Sequence, residues 1–316
     1  MGHLMTIPSF YPTQRSSSAT CFGHCMHGRC FPRPKPRHAS NLFVAYSRPS
    51  DLQKLPDHGD IGKLLNIAEM SNKYCIGSFR TWSVQCIYTL AKDGNGPLRN
   101  APSEVFARIL SIAAASGHEK LLEVLTKKLM SRILGHNMPP DLVLPIAEKY
   151  ELRRLQGICY YRQLTKMERD TPRHSYNSGS QLAIPLHISV DKRKRFFRAH
   201  DQLVGLWEQL RSNPPMFGRD GCPSHGLCLD TWMHLWNEAG SSAEILHYGP
   251  ADVLGRLKTF MVYLRHSMNE TPAINEPCML SALETIAMIR DKIIENLMEY
   301  FEPGMCAETI SSLRVV

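Results

Sequence analysis

Residues 109–113 read Ile-Leu-Ser-Ile-Ala, and this short pattern decides the fold because it occurs three times along the chain. Residues 64–68 read Leu-Leu-Asn-Ile-Ala, and residues 143–147 read Val-Leu-Pro-Ile-Ala. Each copy ends in Ile-Ala and is followed, after a short gap, by a second apolar segment with helical spacing. A small Ala lets the paired helix approach closely, while the larger residues fill the groove between the helices. The pattern therefore predicts three stacked helical hairpins. Because the three copies are irregularly spaced along the chain, we expect a compact stack and not a regular solenoid.

Apolar residues three and four positions apart continue over most of the chain from about residue 60. Ser103, which follows Pro102 and precedes an apolar run, is predicted to be the N-cap of one helix. Further helices are predicted at 79–90, 121–133, from Pro140, at 152–167, at 196–210, in a short segment around Trp232, at 253–266 and at 279–300. Alternation typical of a strand occurs at 42–46. The predicted fold class is all-α, with the hairpin stack followed by a second helical module.

Composition divides the chain into segments. Residues 1–40 contain Arg and Lys but no acidic residue and are rich in Ser, Pro and Gly, so they are predicted to be disordered. Such a start also resembles a mitochondrial transit peptide, although its prolines oppose the amphipathic helix that such a peptide needs. The predicted segments that follow are helices at 41–92, helical hairpins at 93–170, a polar linker at 171–189, a helical module at 190–302 and a tail at 303–316.

The overall charge restricts the classes of partner. The 316-residue chain has a formal net charge of +8, which favours acidic proteins, nucleic acid or anionic surfaces as partners. No apolar run approaches the roughly 18 residues of a membrane-spanning helix, and the start lacks the apolar core of a secretory signal. We therefore expect no membrane association and an intracellular location, cytoplasmic and/or nuclear. Ten cysteines are then expected to be reduced thiols.

The local cluster Cys222-x2-His225-x2-Cys228 is a candidate metal site. Thiolate and imidazole are the ligands that zinc prefers, and a structural zinc site needs four of them. Three are local here, and the candidates for the fourth ligand are Cys278, Cys306 and His234. The alternative is that these residues are an ordinary loop cysteine, a loop histidine and a buried cysteine at the start of the Trp232 helix.

A second group of cysteines, Cys21-x3-Cys25-x4-Cys30, has His24 and His27 between its members. Its spacing matches no common zinc module, and its surroundings are predicted to lack structure. Metal capture by a flexible tract would also have to order that tract.

The basic run Lys192-Arg193-Lys194-Arg195, followed by Arg198, is a candidate nuclear-localisation signal or phosphate-binding patch. The alternative is the solvated first turns of a helix whose Phe residues face the core. Positive charge at a helix start opposes the helix dipole by a few tenths of a kcal/mol, which favours a function for the charge.

Catalytic signatures are not found in the sequence. It contains no serine elbow, P-loop, dinucleotide fingerprint or metalloprotease helix motif, so the chain is predicted not to be an enzyme. Histidines such as His118 and His200 are expected at helix ends or on the surface. The four tryptophans have helical spacing and aliphatic neighbours and are expected in the core.

Several short motifs, in order, resemble a known family. The sequence Leu-Leu-Asn-Ile-Ala-Glu-Met-Ser-Asn-Lys-Tyr-Cys at 64–75 resembles the closing helical hairpin of BTB/POZ domains. The motifs that follow resemble the helical, BACK-like extension of a group of basidiomycete BTB-domain proteins: Trp82, Gly-Pro-Leu at 96–98, Leu-Gln-Gly-Ile-Cys-Tyr-Tyr at 155–161, Gly-Cys-Pro-Ser-His at 221–225, Trp232, Trp236 and Asp-Val-Leu-Gly-Arg-Leu at 252–257. The resemblance covers roughly residues 43–302.

The resemblance implies a non-enzymatic protein-interaction scaffold, in the specific form of an adaptor that recruits a cullin ubiquitin ligase. It identifies 41–92 as the remnant of the C-terminal BTB helices and 93–170 as BACK-like. The mixed sheet-and-helix part that carries the family's dimer interface has no counterpart before residue 43, which predicts either a truncated relative or a misjudged start of the chain. The alternative function is a nuclear factor that binds nucleic acid or chromatin through the basic run at 192–198.

Overall fold

The computed structural model of this chain describes residues 61–94, 96–170, 184–185, 188–218, 222–270 and 274–303. All of them lie within one compact unit, 56–316. These described ranges are helical and contain no strand, which confirms the all-α prediction. The predicted disordered start, the strand at 42–46, the cysteine group at 21–30 and the tail beyond 303 lie outside them.

The described part of the chain forms eleven α-helices and one 3₁₀ turn. They are α1 (Ile61–Lys73), α2 (Gly77–Lys92), α3 (Ser103–Ser116), α4 (Glu119–Leu134), α5 (Pro140–Lys149), α6 (Arg153–Asp170), α7 (Val190–Ser212), α8 (His225–Gly240), α9 (Ala243–Leu246), α10 (Val253–Glu270), α11 (Glu276–Glu295) and the 3₁₀ turn Leu297–Phe301. None of these helices is both long enough and apolar enough to cross a membrane.

The first six helices form the three predicted hairpins. Helix α1 pairs with α2, α3 with α4, and α5 with α6, while α1, α3 and α5 stack in one row and α2, α4 and α6 in another. Ala68, Ala113 and Ala147, the small residues of the three repeats, are completely buried. Their lack of a larger side chain allows the close approach of neighbouring helices that the repeat predicted.

One predicted helix start is wrong by a residue. Pro102 occupies the cap position before α3 and provides no side-chain capping hydrogen bond, and Ser103 is the first helical residue. The fixed φ of Pro102 already sets the extended backbone that a cap needs. His118 caps α4 by accepting a hydrogen bond from the backbone N–H of Leu121 at 3.1 Å, in agreement with its expected place at a helix end.

The later helices pack around α10, which contacts α7, α8, α9 and α11. An aromatic cluster fills this region: the ring centroid of Trp236 lies 4.3 Å from that of Phe260 and 5.2 Å from that of Trp232. Trp207 approaches Phe260 edge-on at 6.1 Å. These three tryptophans are buried, as predicted, whereas Trp82 is half-buried against the core.

The hairpin stack and the later helices share one continuous core. Helix α6 contacts α11 and the 3₁₀ turn, which also contacts α7. A close approach of two backbones occurs at Gly157 in α6, where a methyl group would lie 2.6 Å from the backbone nitrogen of Met298. A glycine that looks unfavourable in a helix interior is therefore required by the neighbouring backbone.

A buried ion pair also joins α6 to α7. His200 was expected near the surface, but it is only 7% exposed, and its Nε2 lies 3.4 Å from the carboxylate of Glu168, which is buried as well. The expectation was wrong because it assumed no partner for the imidazole. A buried charge requires such a partner, and the facing helix supplies it.

Candidate metal centre

The candidate metal ligands are positioned by the N-termini of two helices. Helix α8 begins at His225 and is 16 residues long, so the helix around Trp232 is longer than predicted. Cys222 lies just before this helix, and Cys228 lies one turn inside it. Helix α11 begins at Glu276 and has Cys278 as its third residue. The fold thus brings a distant cysteine to the local cluster.

The three cysteine sulfurs form a compact group, and His225 lies beside one of them without belonging to the set of donors that are all within 4.8 Å of one another. The sulfurs of Cys222 and Cys228 are 3.7 Å apart, and the Sγ of Cys278 is 3.5 Å from the Nδ1 of His225. The sulfurs of Cys222, Cys228 and Cys278 all lie within 4.8 Å of one another.

Two of the separations between donor atoms are close to those around a tetrahedral zinc ion. Zinc–sulfur bonds of about 2.3 Å place two sulfurs about 3.8 Å apart, and a zinc–nitrogen bond of about 2.0–2.1 Å places nitrogen and sulfur about 3.6 Å apart. The sulfur–sulfur distance of 3.7 Å and the sulfur–nitrogen distance of 3.5 Å are each within about 0.1 Å of these values. Three thiols and one imidazole are also a common structural ligand set.

The cluster is shielded from solvent. The three cysteines are each at most 4% exposed. The ring of His225 packs edge-on against Phe217 at 5.5 Å, and Phe217 in turn packs against Trp232 at 5.6 Å. These aromatic neighbours restrict the histidine and exclude water from one side of the site.

Asn275 contributes a polar contact that the sequence interpretation missed. It is the cap residue of α11, but its side chain makes no capping hydrogen bond. Its Nδ2 instead donates to the Sγ of Cys222 at 2.8 Å. Such outer contacts orient ligands and tune metal affinity. In the sequence, the only indication of this contact is that Asn275 directly precedes the Glu-Pro-Cys start of α11.

The cluster lowers the pKa of one of its thiols even before any ion is considered. The Asn275 amide, the backbone N–H of Ser224 and the neighbouring thiols lower the pKa of Cys222, although burial opposes them. Burial, and then the proximity of Cys222 and Cys228, raise the pKa of Cys278 to about 12. Zinc would deprotonate the coordinating thiols. Three thiolates around Zn²⁺ would carry a net charge of −1, which the N-termini of α8 and α11 would stabilise.

The other two candidates for the fourth ligand are not brought to this cluster in the described residues. The side chain of His234 is 79% exposed, and its Nδ1 lies 4.0 Å from the carboxylate of Glu238. Cys306 lies outside the described ranges. Of the three candidates, the fold therefore places Cys278 beside the local motif.

The predicted basic run occupies the first turns of α7 and does not form a continuous stripe. Lys192 pairs with the carboxylate of Glu148 at 3.3 Å, while Lys194 and Arg195 are exposed and Arg193 and Arg198 are half-buried. Of the two phenylalanines that follow the run, Phe196 is buried and Phe197 is 44% exposed. The alternative interpretation, in which the phenylalanines of this helix face the core, therefore holds for Phe196 and is wrong for Phe197.

No protein-family model, curated protein or solved structure matches this chain. The resemblance to BTB/POZ proteins accordingly stays a prediction from the motifs.

Proposed function

We propose that this chain is a non-enzymatic helical scaffold that binds partner proteins and whose later helices are held together by a structural zinc ion. The ligands are Cys222, His225, Cys228 and Cys278. The observation that carries the proposal is the group of three buried cysteine sulfurs, beside which the Nδ1 of His225 lies 3.5 Å from the Sγ of Cys278 as the fourth donor. Four protein ligands fill a tetrahedral zinc ion, whereas a catalytic zinc keeps a position open for water or substrate.

The placement of the ligands explains what the ion does. It connects the start of α8 to the start of α11, two segments separated by about fifty residues of chain. Each helix lacks a side-chain hydrogen bond from its cap residue, Ser224 or Asn275. The ion and its thiolates stabilise these two uncapped ends, because binding energy at a site absent from the unfolded chain becomes folding energy.

Metal analysis of the purified full-length chain tests this proposal directly. We expect one bound zinc per chain at this site, lost on substitution of Cys228 or Cys278 by Ser. Cobalt substitution should give thiolate-to-metal charge-transfer absorption in the wild type. The exposed Cys75 provides the control, since C75S should retain the wild-type zinc content.

Removal of the ion should also lower thermal stability. At a free zinc concentration a thousand times the dissociation constant, binding contributes about 4 kcal/mol, so a chelator should reduce the melting temperature by several degrees. Two results would contradict the structural zinc site. One is an equal loss of zinc in C75S and C228S, and the other is a wild-type melting temperature that a chelator leaves unchanged.

The resemblance to BTB proteins supports a more specific form of the scaffold function, in which one partner is a cullin. Purified cullin immobilised on a sensor should bind the full chain at both low and high salt. The alternative, binding of nucleic acid through the basic run, requires affinity that falls steeply as salt rises. A double substitution of the exposed Lys194 and Arg195 should reduce such binding and leave cullin binding unchanged.

A further inference from the structure

A second site lies away from the metal cluster, in an open groove of about 600 Å³. Helices α4, α6, α10 and α11 form its walls. The groove lining includes five cationic side chains and three acidic ones, a net charge of +2 with His136 neutral. The cationic residues are Lys127, Arg154, Arg162, Lys258 and Arg290.

Three of these cations already have a carboxylate nearby. Lys127 lies 2.7 Å from Glu123, Arg154 lies 3.4 Å from Glu295, and Arg290 lies 3.7 Å from its neighbour Asp291. These pairs lie on exposed parts of α4, α6 and α11. The positive charges of these three side chains are largely balanced by their carboxylate partners, so an anion would gain less there than elsewhere in the groove.

Arg162 differs from the other arginines of the groove. It is half-buried, and its guanidinium donates hydrogen bonds to the hydroxyl of Thr165 at 3.2 Å and to the Nδ1 of His136. An arginine can only donate, so the accepting ring of His136 is neutral. Among the described residues, no carboxylate forms an ion pair with Arg162 or with the exposed Lys258.

The local electrostatics reflect this lack of compensation. Burial, followed by repulsion from Arg169, lowers the pKa of Arg162. Burial and then the charges of Arg162, Arg169 and Lys258 lower the pKa of His136. The nearby Asp252 offsets part of this positive potential, but its Oδ1 already accepts from the hydroxyl of Tyr161 and the N–H of Gly255.

We propose that this groove binds a phosphate group through Arg162 and Lys258. A phosphate monoester carries about −1.5 to −2 charge at pH 7, which complements the positive charges of Arg162 and Lys258. The planar guanidinium fits two phosphate oxygens at once, and the lysine supplies a mobile point charge beside it. This inference goes beyond the scaffold function and does not depend on the metal centre, because none of the zinc ligands lines the groove.

Titration calorimetry of the full chain at low ionic strength tests the site. The probes are inorganic phosphate, and a phosphoserine peptide together with its unphosphorylated form. Loss of a charge-assisted contact should weaken phosphate binding about tenfold or more in R162M and also in K258M. The exposed Lys166 on α6 and Arg265 on α10 lie outside the groove, so K166M and R265M remove the same charge and should change affinity less than about twofold.

The outcomes separate the source of the phosphate from the existence of the site. Tighter binding of the phosphopeptide than of inorganic phosphate supports a site for a phosphorylated partner segment, and equal binding supports a site for a small phosphate ligand. The proposal is overturned if the wild type binds neither probe, or if K258M, an exposed substitution that leaves the fold intact, binds phosphate as well as R265M does.

Discussion

Substitution of Gly157 by Ala tests the contact between the hairpin stack and the C-terminal segment. The new methyl group would lie 2.6 Å from the backbone nitrogen of Met298 and 3.0 Å from the side chain of Leu297. Both atoms belong to the 3₁₀ turn, so a rotamer change cannot relieve the first contact and the turn must move. Forcing an added carbon into a packed site costs about 1–3 kcal/mol.

Part of that cost is offset, because Ala is more favourable than Gly in a helix interior by up to about 1 kcal/mol. We therefore expect G157A to reduce the free energy of unfolding by about 1–2 kcal/mol. Gly205 provides a matched control. It lies inside α7, and a methyl group there would meet no atom within 4 Å, so G205A should increase stability by about 0.5–1 kcal/mol.

Urea denaturation followed by circular dichroism measures both variants, with midpoints compared at equal slope. The two substitutions are chemically identical and should change helix propensity alike. Opposite signs of the change in the free energy of unfolding would therefore isolate the effect of the close approach at Gly157. A G157A chain that is as stable as G205A would refute the reasoning, since it would mean that α6 and the 3₁₀ turn are not in contact.

Three further predictions concern other polar contacts. Burial lowers the pKa of His200, but the Glu168 carboxylate and then Asp201 raise it more, so that it lies above the ordinary value of 6.5. Stability from this pair should be complete below pH 6.5, decline as pH rises through the folded pKa, and show no such decline in H200Q. N275A should weaken zinc binding about 10- to 100-fold in a competition titration. Y161F should cost about 1–3 kcal/mol in urea denaturation, since the buried hydroxyl both donates to Asp252 and accepts from a backbone N–H.

Matched variants define the outcomes that contradict these predictions. H234Q removes an imidazole that is 79% exposed and should keep the wild-type pH profile; a profile of H200Q that also matches the wild type would refute the role of the buried pair. N213A removes an exposed hydrogen bond to a helix carbonyl and should bind zinc normally. Y160F breaks only a partly exposed bond to Glu148, so a cost equal to that of Y161F would argue against the buried network.

The candidate metal site shows how far local spacing reaches. Cys222, His225 and Cys228 are recognisable in the sequence because two-residue gaps bring all three to one helix start. The sequence did not decide which of three residues is the fourth ligand. Local spacing cannot distinguish Cys278, about fifty residues away, from His234, an exposed histidine on the same helix as Cys228. Asn275 was missed because an Asn before a helix normally indicates a cap, and only the neighbouring sulfur gives its side chain another use.

The sequence by itself determined the all-α class and the three hairpins, because helical periodicity and a small residue between large ones are properties of a few consecutive turns. Only the tertiary structure decided that Gly157 must remain small, that His200 is buried against Glu168, that Cys278 joins the cysteine cluster, and that Arg162 and Lys258 share a groove. Each of these depends on which element faces the residue. Periodicity reports that a helix face is buried, but the residues that cover it come from distant parts of the chain, and their positions follow from the packing of the whole core.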